Sequence, residues 1–353
     1  MPTTAEEFLE LARSYQAAAV LAAAADLDLF DALADGALTA GAMARTLRCD
    51  RRGIRVLLDA LVALQCLVKQ GDRYSLPAGA AAFLASASPQ SILPMAQHQA
   101  NCLRNWAQLA KGIKTGRPAE RAPSVRGEAG DKEAFIGAMH SISAANADRV
   151  IQAVRPLRFH HLLDIGGASG TWTIAFLRAR PSARATLFDL PHVIPMARSR
   201  LAAAGLDRRL TLVAGDFMKD ALPQGADLAW VSAIVHQNSR VQNRALFANA
   251  FQALTSRGRI AIRDIVMEET RTRPVAGALF AVNMLVATEG GGTYTFGELQ
   301  EDLEFAGFTE AALLHPDEAM NSIIVAKKGR ERRRLDRTIT QPVTDAAEST
   351  AST

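Results

Sequence analysis

The sequence is poor in cysteine, in long apolar runs and in export signals. Cys49, Cys66 and Cys102 stand far apart in a chain of 353 residues and form no C-x-x-C pair. This distribution favours reduced thiols in a cytoplasmic protein and indicates no metal site. The most continuous alanine-rich segment, 16–25, is too short to span a bilayer, and the N-terminus is acidic where a signal peptide is basic. We therefore expect neither membrane insertion nor export.

The charge of the chain gives little indication of a nucleic-acid partner. Much of the net charge of +4 lies in one run, Lys327–Arg334, which has no interleaved aromatic residues to stack on bases. A polar segment without periodicity follows it, so we predict a disordered basic and polar tail over 329–353. The composition as a whole, 49% hydrophobic and 22% charged, is that of a globular chain long enough for two domains.

Helical periodicity dominates the first 115 residues. Apolar residues at three- and four-residue spacing predict helices over 6–21, 29–33, 39–47 and 51–64. The last two helices, with Thr39 and Asp50 as N-caps, and a strand–turn–strand pattern around Gly71 predict a winged helix-turn-helix. Three arginines begin its second helix, as in a DNA-binding element, but the rest of that helix is apolar nearly all round. We therefore predict an interface domain over 1–115.

Residues 116–159 are predicted to connect two regions of different sequence pattern. In this connection, a break rich in Gly, Pro and Arg precedes a predicted helix over 132–154. Strands are then predicted over 161–165, 185–188, 210–213, 228–235, 259–266, 308–314 and 322–326. Helices alternate with them over 171–180, 193–204, 241–254 and 295–306. This alternation predicts an α/β, Rossmann-like domain over 160–328, with a mainly parallel seven-stranded sheet and an antiparallel last strand.

The segment 161–170, HLLDIGGASG, predicts a nucleotide-binding corner. An apolar strand is followed by a turn that contains Gly166, Gly167 and Gly170, and a helix opens directly afterwards. Glycines let a ligand approach the backbone, and a helix N-terminus offers free N–H groups. The spacing is not G-x-G-x-x-G, which weakens the case for a nicotinamide or flavin cofactor.

Acidic residues at the ends of successive strands support this prediction. Asp189 lies 25 residues after Asp164, where a carboxylate can accept both ribose hydroxyl protons, and Asp216 can flank an adenine ring that packs on Phe217. Each aspartate could instead cap a helix or turn. The predicted cofactor-binding residues are Asp164, Gly166, Gly167, Gly170, Asp189, Leu190, Asp216, Phe217 and Ser232.

His236, after the fourth predicted strand, lies over the same crevice and is a candidate general base. A phenol is ionised only to about one part in a thousand at pH 7, so its deprotonation is worth on the order of 4 kcal/mol. Histidine titrates close enough to neutrality for that task. Asp264 could orient the imidazole or could pair with Arg263 instead, and a histidine bound to backbone at a strand end is the other interpretation of His236.

An apolar segment, 277–286, is interrupted only by Asn283 and leads into the glycine-rich stretch 289–292. An apolar helix before a flexible glycine loop suits the lid of an aromatic pocket, with Met284 as an adaptable lining residue. Packed core is the alternative for each of these side chains.

The order of the motifs LLDIGGASG, FDLP, GDF, IVHQN, MLVATEGGGTYT and EDLEFAGF resembles that of class I S-adenosylmethionine-dependent O-methyltransferases. The branch it resembles includes plant caffeic acid and flavonoid enzymes and bacterial polyketide, phenazine and hydroxyneurosporene enzymes. The resemblance extends from about Ser14 to Lys328 and includes the winged-helix region. It implies S-adenosylmethionine as methyl donor, S-adenosylhomocysteine as product, a small-molecule acceptor with a phenolic or other aromatic hydroxyl, and a homodimer formed by the N-terminal domain.

The resemblance also implies roles for individual residues. The glycines would border the methionine part of the cofactor, Asp189 would hold its ribose, and His236 with Asp264 would be catalytic. The residues that would line the acceptor pocket are Phe135, Met139, Phe280, Asn283 and Met284.

The chain departs from the family pattern beside the base. The family often has His-Asp-Trp where this chain has His236, Gln237 and Asn238. Its two supporting glutamates fall on Asp264, a shorter carboxylate, and on Thr293, which has none, although Glu289 is near enough in sequence to substitute. Three alternatives therefore stay open: a C-methyltransferase, a relative that retains the cofactor for a decarboxylation or pericyclic step, and a DNA-binding regulator that senses the cofactor.

Overall fold

We describe residues 2–330 of a computed structural model of the chain. The N-terminal part contains eight helices among these residues: α1 (Ala5–Arg13), α2 (Tyr15–Asp26), α3 (Leu29–Ala32), α4 (Ala40–Thr46), α5 (Arg51–Ala63), α6 (Ala78–Leu84), α7 (Leu93–Trp106) and α8 (Leu109–Thr115). Three short strands, β1 (Leu38–Thr39), β2 (Val68–Gln70) and β3 (Arg73–Ser75), form an antiparallel sheet in the order β1-β3-β2. The wing predicted around Gly71 is therefore present.

Helix caps in this part agree with the sequence, whereas one helix boundary does not. Thr39 and Asp50 accept hydrogen bonds from the backbone N–H groups of Ala42 and Gly53, as N-caps do. The single helix predicted over 6–21 is instead two helices, because the hydroxyl of Ser14 donates to the carbonyl of Leu11 and α1 ends there.

The connecting helix is longer than its sequence predicts. Helix α9 (Gly127–Val154) begins five residues before the predicted start at residue 132, within the segment that was expected to be irregular. The carboxylate of Asp131 accepts hydrogen bonds from the backbone N–H and the hydroxyl of Ser124, which closes the loop in front of the helix. Helix α9 packs against α7 on one side and against the first helix of the C-terminal part on the other.

The C-terminal part is a seven-stranded sheet covered by helices. Its strands are β4 (His161–Ile165), β5 (Arg184–Asp189), β6 (Leu210–Ala214), β7 (Ala226–Ser232), β8 (Leu254–Asp264), β11 (Phe308–His315) and β12 (Ser322–Lys328). Its helices are α10 (Thr171–Ala179), α11 (Ile194–Ala203), α12 (Arg240–Ala253), α13 (Val275–Ala287) and α14 (Phe296–Phe305). A small parallel pair, β9 (Val266–Met267) and β10 (Tyr294–Thr295), lies beside it.

The topology confirms the predicted fold class. The strand order is β11-β12-β8-β7-β4-β5-β6, and β12 runs antiparallel to both neighbours while the remaining pairs are parallel. Strand order changes direction between β4 and β7, and ligands bind at such a switch point outside the carboxyl ends of the strands. Apolar clusters cover both faces of the sheet, with the largest around Phe247 on one side and around Trp230 on the other.

Two predicted strand boundaries near the switch point are wrong. The strand predicted over 228–235 ends at Ser232, because Ala233 adopts a left-handed conformation (φ 57°) and residues 235–237 form a short 3₁₀ helix. The strand predicted over 259–266 stops at Asp264, and the next residues pair with β10. Both changes turn the chain out of the sheet where the candidate site lies.

Candidate active site

The glycine turn is shaped by contacts with neighbouring elements. Gly166 and Gly170 have positive φ angles of 68° and 76°, which favour glycine. A Cβ atom on Gly167 would lie 2.5 Å from Cγ of Leu187 on β5, so this position has no room for a side chain. Gly170 precedes α10 and no side chain caps that helix, so its first turn offers backbone N–H groups to a ligand.

Asp164 lies beneath this turn rather than on its surface. Its side chain is buried, and it accepts a hydrogen bond of 2.6 Å from the hydroxyl of Thr173 on α10. Burial raises the pKa of the Asp164 carboxyl to about 7, and the nearby charge of Asp189 contributes to the increase. This carboxyl therefore ties the strand to the helix that follows it.

Asp189 and Asp216 lie at the ends of adjacent parallel strands. Asp189 accepts hydrogen bonds of 2.7 Å from the backbone N–H groups of Ala168 and Leu190, and burial raises the pKa of its carboxyl. Asp216 accepts from Lys219, whose ammonium lies 3.0 Å away and lowers the pKa of this carboxyl. The two carboxylates thus have opposite environments, one held by the glycine turn and one paired with a surface cation.

The other predicted cofactor residues also lie at or just after the carboxyl ends of β5, β6 and β7. A Cβ atom on Gly166 would lie 3.8 Å from the ring of Phe217, so that ring lies beside the glycine turn. Leu190 is exposed next to Asp189. Ser232, at the end of β7, accepts a hydrogen bond of 3.0 Å from the guanidinium of Arg263.

His236 lies on the short 3₁₀ helix and bonds directly to Asp264. The imidazole Nδ1 is 2.9 Å from each carboxylate oxygen of Asp264, and both side chains are buried. A carboxylate only accepts hydrogen bonds, so Nδ1 carries the proton and Nε2 has a free lone pair. The backbone N–H of Ile265 also donates to Asp264 and fixes its carboxylate. Asp264 therefore reaches the imidazole of His236, although it is one methylene shorter than the glutamate of the family pattern.

Arg263 makes other contacts. Its guanidinium donates to Asn321 and Ser232 and lies over the ring of Trp172 at 4.5 Å from the centroid. Burial lowers the pKa of Arg263 to about 10. The side-chain hydrogen bonds of Arg263 thus go to Asn321 and Ser232, and Asp264 pairs with His236 instead of Arg263.

Within residues 2–330, the other residues that depart from the family pattern make no hydrogen bond to the imidazole of His236, whose partner is Asp264. Thr293 is buried and donates to the carbonyl of Gly277 at 3.3 Å, while Glu289 is exposed. Gln237 donates to the carbonyl of Ala233, and Asn238 donates to the side chain of Asn243.

The glycine-rich stretch 289–292 is bonded to the backbone of His236 and is not a free lid. The backbone N–H of Gly292 donates to the carbonyl of His236 at 2.9 Å. A Cβ atom on Gly291 would lie 2.5 Å from the same carbonyl oxygen, so only glycine permits this approach. The expectation of a flexible loop is therefore replaced by a turn that holds the 3₁₀ helix in place.

One predicted acceptor-pocket residue, Phe280, contacts His236 directly. The ring of Phe280 on α13 meets the imidazole of His236 edge to face, with 4.8 Å between centroids. One turn further along, Asn283 accepts a hydrogen bond of 2.9 Å from Nε1 of Trp106 on α7. Met284 is buried on the same helix, and Met139 is half-buried on α9.

Phe135 on α9 is about half exposed and packs edge to face on His98, with 5.2 Å between ring centroids. No role was predicted for α7 from the sequence, although His98, Cys102 and Trp106 recur at four-residue spacing and thus share one face of that helix. The thiol of Cys102 lies 3.6 Å from Nε2 of His98, and burial raises the pKa of this thiol to about 11.

A second histidine near the glycine turn was also missed. Nδ1 of His140 lies 2.9 Å from the hydroxyl of Thr171, the first residue of α10, and its Nε2 contacts Arg200. Burial, with a contribution from Arg200, lowers the pKa of His140 to about 4, so this imidazole is neutral at pH 7. Its only sequence signal is its position next to Met139.

Residues 2–330 contain neither a membrane-spanning helix nor a metal cluster. None of the helices in this range is long and apolar enough to cross a membrane. No group of three or more His, Cys, Asp or Glu side chains is arranged there to hold a metal ion.

The fold and the site together are those of a Rossmann-like α/β enzyme with its crevice at the carboxyl edge of the sheet. Comparisons with known proteins identify the family. Residues 106–309 match the model of the O-methyltransferase domain, and residues 9–86 match that of the O-methyltransferase dimerisation domain.

Individual relatives agree with these matches. The chain is 32% identical to a 3-hydroxy-5-methyl-1-naphthoate 3-O-methyltransferase of Streptomyces sahachiroi, over 82% of this chain and 85% of the relative. It is 31% identical to the tetracenomycin polyketide synthesis 8-O-methyl transferase of Streptomyces glaucescens, over 86% and 91%. Human N-acetylserotonin methyltransferase, solved in complex with S-adenosylmethionine, superposes with a TM-score of 0.79 at 26% identity, over 93% of this chain and 99% of that one.

The chain therefore belongs to the O-methyltransferase family and is an S-adenosylmethionine-dependent O-methyltransferase. This confirms the family, the cofactor and the reaction class that the motifs predict. The domain bounds and the roles of individual residues stay predictions, and the predicted tail lies, from residue 331 onward, outside the described residues.

Proposed function

We propose that this enzyme methylates an aromatic hydroxyl of a polyketide-type small molecule, with His236 as general base. The observation that carries the proposal is the buried hydrogen bond between Nδ1 of His236 and Asp264. This bond leaves Nε2 of the imidazole available, and the ring of Phe280 packs against the same imidazole. The two Streptomyces relatives, by their names, act on a hydroxynaphthoate and in tetracenomycin polyketide synthesis. Phe280 and Met284 offer the apolar surface that such a planar acceptor requires.

The crevice residues fit the cofactor. Bound S-adenosylmethionine supplies a methyl group on a positively charged sulfur. The glycine turn would leave the backbone accessible to the methionine part, and the Asp189 carboxylate, already oriented by backbone N–H groups, would hold the ribose. Asp216 and Phe217 would hold the adenine.

The protein's own chemistry is the removal of one proton. Nε2 of His236 accepts the proton of the acceptor hydroxyl, and the resulting imidazolium is stabilised by the Asp264 carboxylate through Nδ1. Both groups are buried, so the pair is only weakly screened by water. Orientation of the acceptor against the methyl donor supplies much of the remaining acceleration, on the order of 7–11 kcal/mol in well-aligned systems.

The assembly that fits the N-terminal part is a homodimer. Helix α1 buries none of its own side chains within residues 2–330, and Phe8, Leu9 and Leu11 are all more than half exposed. An apolar helix face of this kind is stabilised by a second copy of the domain.

Substitution of the base tests the proposed mechanism. His236→Ala is expected to lower turnover of a hydroxynaphthoate by about 10²-fold to 10⁴-fold, the usual contribution of general-base catalysis, while the dissociation constant of S-adenosylhomocysteine stays within about a factor of two. Asp264→Asn is expected to lose a similar part of the rate, because an amide can donate to Nδ1 and favour the wrong tautomer. Labelled methyl transfer and calorimetry measure the two quantities.

His160→Ala is the matched control, because this exposed histidine precedes β4 at the opposite edge of the sheet, where it pairs with Asp227. It should retain wild-type turnover. Wild-type turnover in His236→Ala would remove the general-base assignment, and loss of cofactor affinity in that variant would show that His236 is structural.

A further inference from the structure

The amino ends of the parallel strands, at the edge of the sheet opposite the crevice, carry several arginines. Arg184 begins β5 and pairs in register with His161 of β4, and Arg259 of β8 pairs with Lys327 near the end of β12. Neighbouring strands are about 4.8 Å apart, so the edge from β8 to β6 is about 20 Å long. The exposed arginines along it, which we call the arginine row, are Arg155, Arg158, Arg184, Arg208 and Arg257.

Contacts within the protein do not account for the arginine row. In residues 2–330, none of its five guanidinium groups makes a hydrogen bond or lies within 4.0 Å of a carboxylate oxygen. The carboxylates of Asp227 and Glu310 pair with other cations of this edge, and Asp207 is exposed without pairing to its neighbour Arg208. A row of exposed charges of one sign creates a field that attracts an anionic partner.

Two further arginines hold the loops that carry the row. Arg180 donates to the backbone carbonyls of Arg155 and Leu157. Arg209 donates to backbone carbonyls within 177–183, where α10 ends and the chain turns toward β5. The backbone beneath the row is therefore fixed, so little backbone entropy is lost when a partner binds.

The basic run 327–334 begins at the same edge. Strand β12 is antiparallel to β8, so it ends where β8 starts, with Lys327 and Lys328. Arg330 follows and is exposed. In the sequence, residues 332–334 are all arginine. Further positive charge therefore follows within a few residues of the arginine row.

We propose that this edge of the sheet binds the surface of an anionic lipid membrane, with lipid phosphates paired to the arginine row. The planar guanidinium fork matches phosphate oxygens in a bidentate arrangement. Four to eight cations in one cluster are typical of surfaces that bind anionic lipids. Because the crevice lies at the opposite edge, it stays accessible when the enzyme is bound to the membrane. The inference is independent of the acceptor proposed for the crevice.

The surroundings of the arginine row favour lipid over nucleic acid. A single strand is bound by aromatic rings that stack on its bases, but the aromatic ring within the loops of the row, that of Phe159, is buried. A duplex is recognised by a helix or a two-stranded ribbon that enters a groove, and these loops offer neither. Lipid head groups, by contrast, diffuse laterally and can collect around cations in fixed positions.

Sedimentation with vesicles tests this inference on the full-length protein. The vesicles consist of phosphatidylcholine with about one-third phosphatidylglycerol, and vesicles of phosphatidylcholine alone should bind no protein. The triple variant Arg155→Gln, Arg184→Gln, Arg257→Gln is expected to lower the partition coefficient on the order of 10²-fold, since each arginine near an anionic surface contributes about fivefold. Salt should weaken wild-type binding, because the Debye length falls from about 10 Å at 0.1 M to about 3 Å at 1 M.

A matched triple variant removes the same charge elsewhere. Arg117→Gln, Arg121→Gln, Arg273→Gln replaces exposed arginines in the loops before α9 and α13 and should bind the anionic vesicles within about threefold of the wild type. Calorimetry with S-adenosylhomocysteine should give wild-type affinity for both triple variants, which shows that the fold is intact.

Three outcomes would overturn the inference. They are failure of the wild-type protein to bind the anionic vesicles, equal binding to vesicles of phosphatidylcholine alone, and equal losses in the two triple variants. If the wild type binds a duplex oligonucleotide but not the vesicles, and the first triple variant loses that binding, the partner is nucleic acid and the membrane proposal is wrong.

Discussion

At the scale of single residues, three aspartates at neighbouring strand ends have different hydrogen-bond partners and different burial. Asp164 is buried against Thr173, Asp189 is held by backbone N–H groups, and Asp216 pairs with Lys219. The sequence places all three beside the glycine turn because strand ends in a parallel sheet meet at one edge. It does not show which carboxylate is withdrawn from solvent, since burial depends on the helix packed above.

Asp164 should make stability depend on pH in an unusual direction. Burial raises the pKa of its carboxyl from 3.8 to about 7, so the folded protein keeps a proton that the unfolded chain loses. The free energy of unfolding should therefore fall as pH rises from about 4 to about 7, by at most about 1.4 kcal/mol per pH unit. Asp164→Asn should lack this component, as urea unfolding across the pH range will show.

A second variant, Thr173→Val, tests the same assignment of the pH dependence to Asp164. The hydroxyl of Thr173 lowers the pKa of Asp164 by its hydrogen bond, so its removal should extend the loss of stability to higher pH. Parallel pH curves for the wild type and Asp164→Asn would contradict the assignment.

At the scale of elements, three links hold the turn that carries His236. The buried carboxylate of Asp302 on α14 accepts from Arg240 and Arg244 on α12, which begins four residues after His236. The phenol of Tyr294 donates to the carbonyl of Asn238, and burial raises the pKa of this phenol to about 12. The glycine stretch adds the third link through the His236 carbonyl.

The ion pairs of Asp302 should contribute strongly to stability. Asp302→Ala leaves two arginines without their buried acceptor, and a cost of about 3 kcal/mol in the free energy of unfolding is expected. Glu301→Gln removes an exposed carboxylate, 66% accessible, from the same Arg240 and should cost less than about 1 kcal/mol. Urea unfolding measures both, and equal effects would show that burial of Asp302 is unimportant.

Element types were predictable, whereas some of their ends were not. The periodicity of 161–165 and of 51–64 predicts β4 and α5 to within one residue, because each pattern is local. The strand before His236 was predicted three residues too long, because its apolar residues Ile234 and Val235 continue the pattern after the backbone has left the sheet. Local hydrophobicity cannot distinguish those two structures.

At the scale of the whole molecule, the N-terminal part presents apolar side chains that its own core does not cover. Helix α5 buries Ile54, Leu58 and Leu61 in that core but leaves the apolar side chain of Val56 mostly exposed. Together with α1, these surfaces support the proposed dimer rather than an isolated domain.

Charge placed on α1 should dissociate that dimer. The double variant Phe8→Asp, Leu11→Asp puts two carboxylates into the proposed interface, and analytical ultracentrifugation is expected to show a monomer where the wild type is a dimer. Val241→Asp on α12 is the control, because Val241 is even more exposed but lies outside the N-terminal part. A monomeric wild-type protein, or a double variant that stays dimeric, would contradict the proposed interface.

The sequence by itself determined the fold class and led to the predictions of a cofactor corner and a candidate base, because periodicity, glycine turns and strand-end residues are features of short segments. Only the tertiary structure decided that Asp264 bonds to His236 while Arg263 bonds to Asn321, since these neighbours in sequence point to opposite faces of β8. It alone also joined Trp106 to Asn283 across 177 residues. Contacts of this kind depend on how distant helices pack, and no local pattern of residues encodes them.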